Sequence, residues 1–138
     1  MKDLRDYIQL HLSFDGEGKE VEVLDVTEME ENIYKIEENP VFTEKVSYGD
    51  VIKVRKAKDI AIYIETVKKS RFKRYNWLLS KEVIHSFELR ILKSKIAQWH
   101  GKCEQVFGGI FIVNLPANST IDINEEVQKV IKMVQKSN

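Results

Sequence analysis

The sequence predicts an α+β fold in which a small antiparallel barrel precedes a strand-helix-strand-strand-helix unit. Three observations carry this expectation. Apolar residues alternate with period two through most of the first 79 residues, the period changes to that of a helix at Ser80, and a second amphipathic helix closes the chain.

The first strand is read over Tyr7 to Phe14, with Ile8, Leu10, Leu12 and Phe14 on one side and Tyr7, Gln9, His11 and Ser13 on the other. Asp15-Gly-Glu-Gly18 reads as a turn, and Glu20 to Val26 returns as its hairpin partner. Thr27 to Glu31 reads as an acidic turn and Ile33 to Ile36 as a short third strand. Pro40 lacks an amide proton and biases Asn39 away from helical angles, so extended pairing is expected to stop there. Tyr48-Gly49-Asp50 forms a tight turn, with Gly49 free to take a positive φ and Asp50 able to bond nearby downstream backbone.

Val51 to Lys56, Ile60 to Val67 and Phe72 to Leu79 read as three further strands, rich in β-branched and aromatic residues. Six short strands with tight connections predict a curled antiparallel barrel of the SH3-like kind over residues 1–79. Ser80 then serves as an N-cap, Glu82 occupies the favourable first turn and Gly101 marks the end of one long helix. Its apolar residues form two stripes, Val83, Ile84, Phe87 and Ile91 beside Leu89, Leu92, Ile96 and Trp99. So broad a surface predicts contact with more than one neighbour.

Lys102 to Phe107 and Ile110 to Leu115 read as a hairpin around Gly108-Gly109, expected as a two-residue turn. Asp122-Ile-Asn-Glu125 is a capping-box variant, and Val127, Val130, Ile131 and Val134 follow the spacing of an amphipathic helix. Residues 72–138 therefore read βαββα, a ferredoxin-like split unit without its last strand. Strand 72–79 is expected to serve both parts, which would then pack as one folding unit.

At 138 residues the chain is long enough to bury one substantial core, or two small fused subdomains sharing one. It has no apolar run near the roughly 20 residues that cross a bilayer. The opening Met1-Lys-Asp-Leu-Arg-Asp mixes both charge signs and lacks a signal-peptide pattern, and Cys103 is the single cysteine. These features predict a cytoplasmic protein without membrane association or internal disulfide.

The net charge of zero conceals a segregation. Residues 15–50 hold twelve acidic against three basic side chains, a net of −9, and residues 51–102 hold fourteen basic against four acidic, a net of +10. Two accounts fit this pattern. Either adjacent strands neutralise one another across the sheet, as consecutive strands tend to, or the molecule is dipolar and steers a charged partner.

The phrase Ile33-Tyr-Lys-Ile-Glu-Glu-Asn-Pro-Val-Phe42, with Val46-Ser-Tyr-Gly-Asp-Val-Ile-Lys-Val54, Ile60 to Val67 and Gly109-Ile-Phe-Ile-Val-Asn-Leu-Pro116, resembles a bacterial family known as domain of unknown function 4265. The likeness covers most of residues 20–135. The chain departs from that family in its Lys/Arg-rich middle and in lacking an aromatic, acidic C-terminal extension. The resemblance implies an opening strand, a Pro-aromatic turn, a Gly-Asp turn and a late strand ending in Pro. It carries no reaction, and so no catalytic residue.

No catalytic constellation emerges from the residues themselves. His100 and Cys103 are close in sequence, a pairing that can activate a thiol, but Cys103 begins an apolar strand where cysteine acts as a small hydrophobe. His11, His85, His100 and Cys103 lack metal-ligand spacing, and Glu28-Met-Glu-Glu31 lacks the pattern of a calcium loop. No cofactor is expected.

The leading reading is a non-enzymatic protein-interaction or regulatory module whose acidic residues Glu28, Glu30 and Glu31 meet a basic protein partner, the chain itself being a monomer or homodimer. The alternative is single-stranded nucleic-acid binding through Lys68, Lys69, Arg71, Lys73, Arg74, Tyr75 and Trp77. That alternative requires the face carrying Tyr75 and Trp77 to be open for base stacking, whereas their run into Leu79 favours core.

Overall fold

The structure is a computed structural model that describes residues 7–15 and 19–137. The opening residues 1–6 and most of the expected Asp15–Gly18 turn lie outside the described residues. The chain divides into two units, one up to Arg71 and one from Phe72 onward.

The first unit is a closed barrel of five strands: β1 (Ile8–Ser13), β2 (Val21–Glu30), β3 (Ile33–Ile36), β4 (Val51–Ala57) and β5 (Ile60–Lys68). Consecutive strands pair antiparallel, so the first and fifth run the same way, and closure is a parallel β1–β5 pair at Leu12–Ala61 and Ser13–Ile62. An odd meander can close in no other manner. The inward residues Leu10, Leu12, Leu24, Val26, Tyr34, Ile36, Ile52, Val54 and Ala61, with Val46 from the long loop, make one buried cluster.

Two expectations are corrected here. Thr27 to Glu31 is not a turn: β2 continues to Glu30 through a bulge between Glu28 and Glu30, and the turn falls at Glu31-Asn32, with Asn32 at φ 63°. Asparagine tolerates that left-handed conformation better than most residues, which moves the reversal to it. The barrel also holds five strands and not six. The sixth strand pairs in a separate sheet, so strand 72–79 is not shared with the barrel.

The second unit contains β6 (Phe72–Leu78), α1 (Lys81–Ile84), α2 (Phe87–Gln98), β7 (Lys102–Val106), β8 (Ile110–Pro116) and α3 (Ile123–Ser137). Its sheet has the order β6-β8-β7, with both pairs antiparallel. The central strand β8 is buried from Phe111 to Leu115, and alternate residues Phe111, Val113 and Leu115 join the core with residues of all three helices. On α3 the buried positions Ile123, Val127, Val130 and Val134 lie along one stripe, and Asp122 caps the helix by accepting from Glu125 N at 3.0 Å.

The single helix expected from Ser80 to Gly101 is broken. Ser80 caps α1 as anticipated, accepting from Val83 N, but Ser86 is extended at φ −77°, ψ 151° and caps a second helix by accepting from Leu89 N. Its hydroxyl also donates to the Val83 carbonyl at 2.7 Å, closing the end of α1. The break has a packing consequence. Val83 and Ile84 from one stripe and Leu89, Leu92 and Ile96 from the other enter the same core, while Phe87 and Ile91 stay exposed. A straight helix would present those two stripes in different directions.

At the far end of α2 the left-handed residue is His100, at φ 64°. His100 N donates to Ala97 O and Gly101 N to Ile96 O, the paired bonds of a Schellman ending. Gly101 serves a different need. A Cβ there would lie 2.8 Å from Ile96 Cγ2 and Leu115 Cδ2 and 2.9 Å from the Asn114 carbonyl oxygen. The β7–β8 turn is similarly displaced by one residue: Phe107 and Gly108 take positive φ, and a Cβ on Gly109 would lie 3.1 Å from Leu79 O. Three residues, not two, therefore separate the paired Val106 and Ile110.

Gly101→Ala is expected to destabilise the protein by about 1–3 kcal/mol, the range for forcing one extra carbon into packed structure. Chemical denaturation with an unchanged m-value checks this. A midpoint equal to that of the parent would show that strand and helix end can part without cost.

Candidate functional site: the long barrel loop and the charged surfaces

The loop between β3 and β4 is organised by Asp50, whose side chain is wholly buried. Its Oδ2 accepts from Ser47 N at 2.9 Å and from the Lys69 ammonium at 3.1 Å, and its Oδ1 accepts from Ser70 N at 2.7 Å. The expected downstream bond is thus replaced by one bond backward and two across the fold. Gly49 takes the predicted positive φ, 90°, which lets Gly49 N reach Ile36 O while Ile36 N reaches Asp50 O. Those two bonds end β3 before Pro40 is reached.

Three more carboxylates pin the same loop. Glu22 accepts from three successive amides, Val41 N at 2.7 Å and Phe42 N and Thr43 N at 3.2 Å. Glu38 accepts from Asp25 N at 2.6 Å, and the buried Glu37 accepts from the Thr27 hydroxyl. Phe42, 80% exposed, is therefore presented on a fixed backbone. It borders an open cleft of about 410 Å³ shared with Phe14, Val21, Thr43 and the charged Lys19, Glu20, Glu22 and Lys45. Sequence reasoning missed Glu22 and Phe42. Glu22 sits in an alternating strand where an acidic residue reads as solvated face, and its partners are backbone groups 19 to 21 residues away.

Glu28, Glu30 and Glu31 are exposed, as is Met29 between them, because the bulge suspends the inward-outward alternation at this end of β2. Glu28 lies opposite Tyr34 and Glu30 opposite Ile33. At the junction of the acidic and basic blocks, the β3–β4 ladder sets Ile33 against Lys53, Tyr34 against Ile52 and Lys35 against Val51. Lys53 instead finds Glu65 opposite it on β5, within its own block. Cross-strand pairing along these ladders therefore does not neutralise one block with the other. The Lys69–Asp50 pair does join them, at a buried carboxylate.

The basic-aromatic segment is divided. Lys68, Lys69 and Arg71 end the first unit, and Lys73, Arg74, Tyr75 and Trp77 belong to β6 of the second. Tyr75 and Trp77 are half-buried and pack against the helix-covered core. Their rings stack at 6.3 Å, the Trp77 ring lies 5.9 Å from Phe111, and the Trp77 indole N–H donates to Asn124 of α3 at 2.8 Å. Lys73 lies 5.6 Å over the Tyr75 ring, and Arg74 Nε donates to Asn76.

His100 is exposed at the helix ending, whereas Cys103 is half-buried against the core. Burial raises the Cys103 thiol from 9.0 to about 11, against the smaller opposing effect of Lys93. A thiol so shifted is protonated at neutral pH, the reverse of an activated nucleophile. Among the described residues no group of three or more His, Cys, Asp or Glu side chains is placed to hold a metal ion, and no helix is long and apolar enough to cross a membrane.

No protein-family model matches the chain, and no curated protein matches it. Among solved structures it is similar to one described as a novel crystal structure of a hypothetical protein from Neisseria gonorrhoeae, with a TM-score of 0.58 and 15% identity over 99% of this chain and 92% of that one. At that identity the likeness is one of fold: α+β, with a small barrel and a second small sheet carrying helices.

Asp50→Ala is expected to cost about 3 kcal/mol, because two part-buried amides and an ammonium lose a charged acceptor. Asp50→Asn should recover part of that loss, and an alanine variant as stable as the parent contradicts the role given to this carboxylate. For Cys103, the folded pKa lies above the unfolded one. Its contribution is therefore complete below about pH 9 and is lost as the pH rises through about 11. The stability difference between the parent and Cys103→Ala, followed by urea unfolding from pH 8 to 11, should shrink with rising pH. A constant difference would show that the thiol ionises equally in both states.

Proposed function

We propose that the chain is a non-enzymatic protein-interaction or regulatory module of a bacterial cytoplasm whose contact surface includes Glu28, Glu30 and Glu31. The observation that carries this reading is the bulged end of β2, where three exposed carboxylates flank exposed Met29 and the ladder sets uncharged residues opposite Glu28 and Glu30. Charges placed this way raise the rate of encounter with a basic surface, and an apolar side chain among them supplies area to desolvate.

The finer fold reading belongs to this proposal. The five-strand barrel is taken as SH3-like, and the second unit as ferredoxin-like without its last strand, supported by the antiparallel order β6-β8-β7. The resemblance to domain of unknown function 4265 rests on the Pro40-Val-Phe42 and Tyr48-Gly-Asp50 turns. Nucleic-acid binding has less support, because Tyr75 and Trp77 spend their faces on each other, on Phe111 and on the helix layer.

The test is affinity isolation from the host followed by titration of the purified partner. Reversal of Glu28, Glu30 and Glu31 to lysine should leave the circular dichroism melt intact. It should weaken binding by about tenfold or more, with a shallower salt dependence than the parent. A triple variant that holds the same partner with parental affinity would falsify the assignment of this surface.

A further inference from the structure

Strand β7 lies at the edge of its sheet: among the described residues it pairs with β8 on one side and with no strand on the other. The ladder fixes which of its main-chain groups point outward. Leu79 N donates to Gly109 O, one step beyond the β6–β8 register, so the odd-numbered residues of β8 exchange bonds with β6 and the even-numbered ones turn to β7. Lys102, Glu104 and Val106 stand opposite Asn114, Ile112 and Ile110. These three therefore bond to β8, and Cys103 and Gln105 direct their N–H and C=O groups away from the sheet. A strand edge of this kind is a template for another strand unless proline, a bulge or a covering element blocks it. Residues 102–106 contain no proline, and their register with β8 is unbroken.

We propose that β7 pairs antiparallel with β7 of a second copy of this chain, about a two-fold axis at Cys103. Charge selects both the occupant and the register. With the axis at Glu104, two carboxylates would face each other in a non-hydrogen-bonded pair, where Cα atoms approach to about 4.5 Å and like charges repel. With the axis at Gln105, pairing would run into Phe107 and Gly108, whose φ angles of 51° and 79° are not those of a strand. With the axis at Cys103, each Lys102 faces Glu104 of the second copy in the close pair. The outward main-chain groups then meet as Cys103 with Cys103, and the Gln105 N–H meets the Gly101 carbonyl of the second copy, the Gly101 N–H being already donated to Ile96 O.

Lys102 and Glu104 are already 3.3 Å apart within one chain, so the symmetric pair closes a ring of alternating charges at the junction. The contact is isologous and closes on itself, joining two three-stranded sheets without leaving an edge at β7. It involves neither Glu28, Glu30, Glu31 nor any other protein.

Sedimentation analysis of the full chain tests this, and its outcome is independent of the search for a partner. The parent should be a dimer. Lys102→Glu and Glu104→Lys should each raise the dissociation constant about tenfold, and the double exchange should restore it. Because reversal at a half-buried position can loosen the fold, Gln105→Pro provides a second route. It deletes an outward N–H that the β8 ladder does not use, and should give a monomer whose circular dichroism spectrum matches that of the parent. A monomeric parent, open-ended larger assemblies, a Gln105→Pro dimer as tight as the parent, or a double exchange as weak as the single reversals would each overturn the proposal.

Discussion

A carboxylate sealed from water must find donors, and the barrel is arranged so that Asp50 finds three of them. Ser47 N belongs to its own turn, while Lys69 and Ser70 follow directly on β5. One side chain thus fixes where the long loop ends, where β4 begins and where the chain leaves the barrel. The exchange of bonds between Ile36 and the Gly49-Asp50 turn completes the same junction from the side of β3. Remove the acceptor and two part-buried amides and the Lys69 ammonium lose their partner together, which makes this junction cooperative.

The other acidic residues of the first unit fall into two kinds. Glu22, Glu37 and Glu38 turn inward or across the surface to hold backbone and hydroxyl groups, so part of the −9 block is structural. Glu28, Glu30 and Glu31 point to solvent on a bulged strand end. Counting charge along the chain merges these populations, although the first is held by hydrogen bonds within the fold and the second is open to solvent. The Glu22 contacts have a further effect: they hold an exposed aromatic, Phe42, on a backbone that three hydrogen bonds keep in place.

The second unit shows how apolar surplus is handled. The sequence from Ser80 to Gly101 carries more hydrophobic surface than one helix face can bury, and a serine in its middle allows the chain to reorient. Both halves then reach the core formed by Phe111, Val113 and Leu115. Trp77 and Tyr75 add their rings to the same layer, with the indole N–H satisfied by Asn124. The aromatic content of the basic segment is thereby committed to packing.

Local sequence determined the strands between Ile8 and Leu78 apart from the far end of β2, the change to helix at Ser80, the capping by Ser80 and Asp122, and the turn geometry of Gly49, because these depend on contacts a few residues apart. The number of strands in the barrel, the break at Ser86, the strand through Thr27 to Glu30 and the left-handed residues His100 and Phe107 were decided by tertiary structure. Each of those outcomes depends on what a distant segment requires: closure of β5 onto β1, a shared core for two stripes, or room for Leu115 beside Gly101. Local pattern states which residues prefer to be extended or coiled and which prefer to be hidden. Which neighbour hides them is a property of the assembled chain.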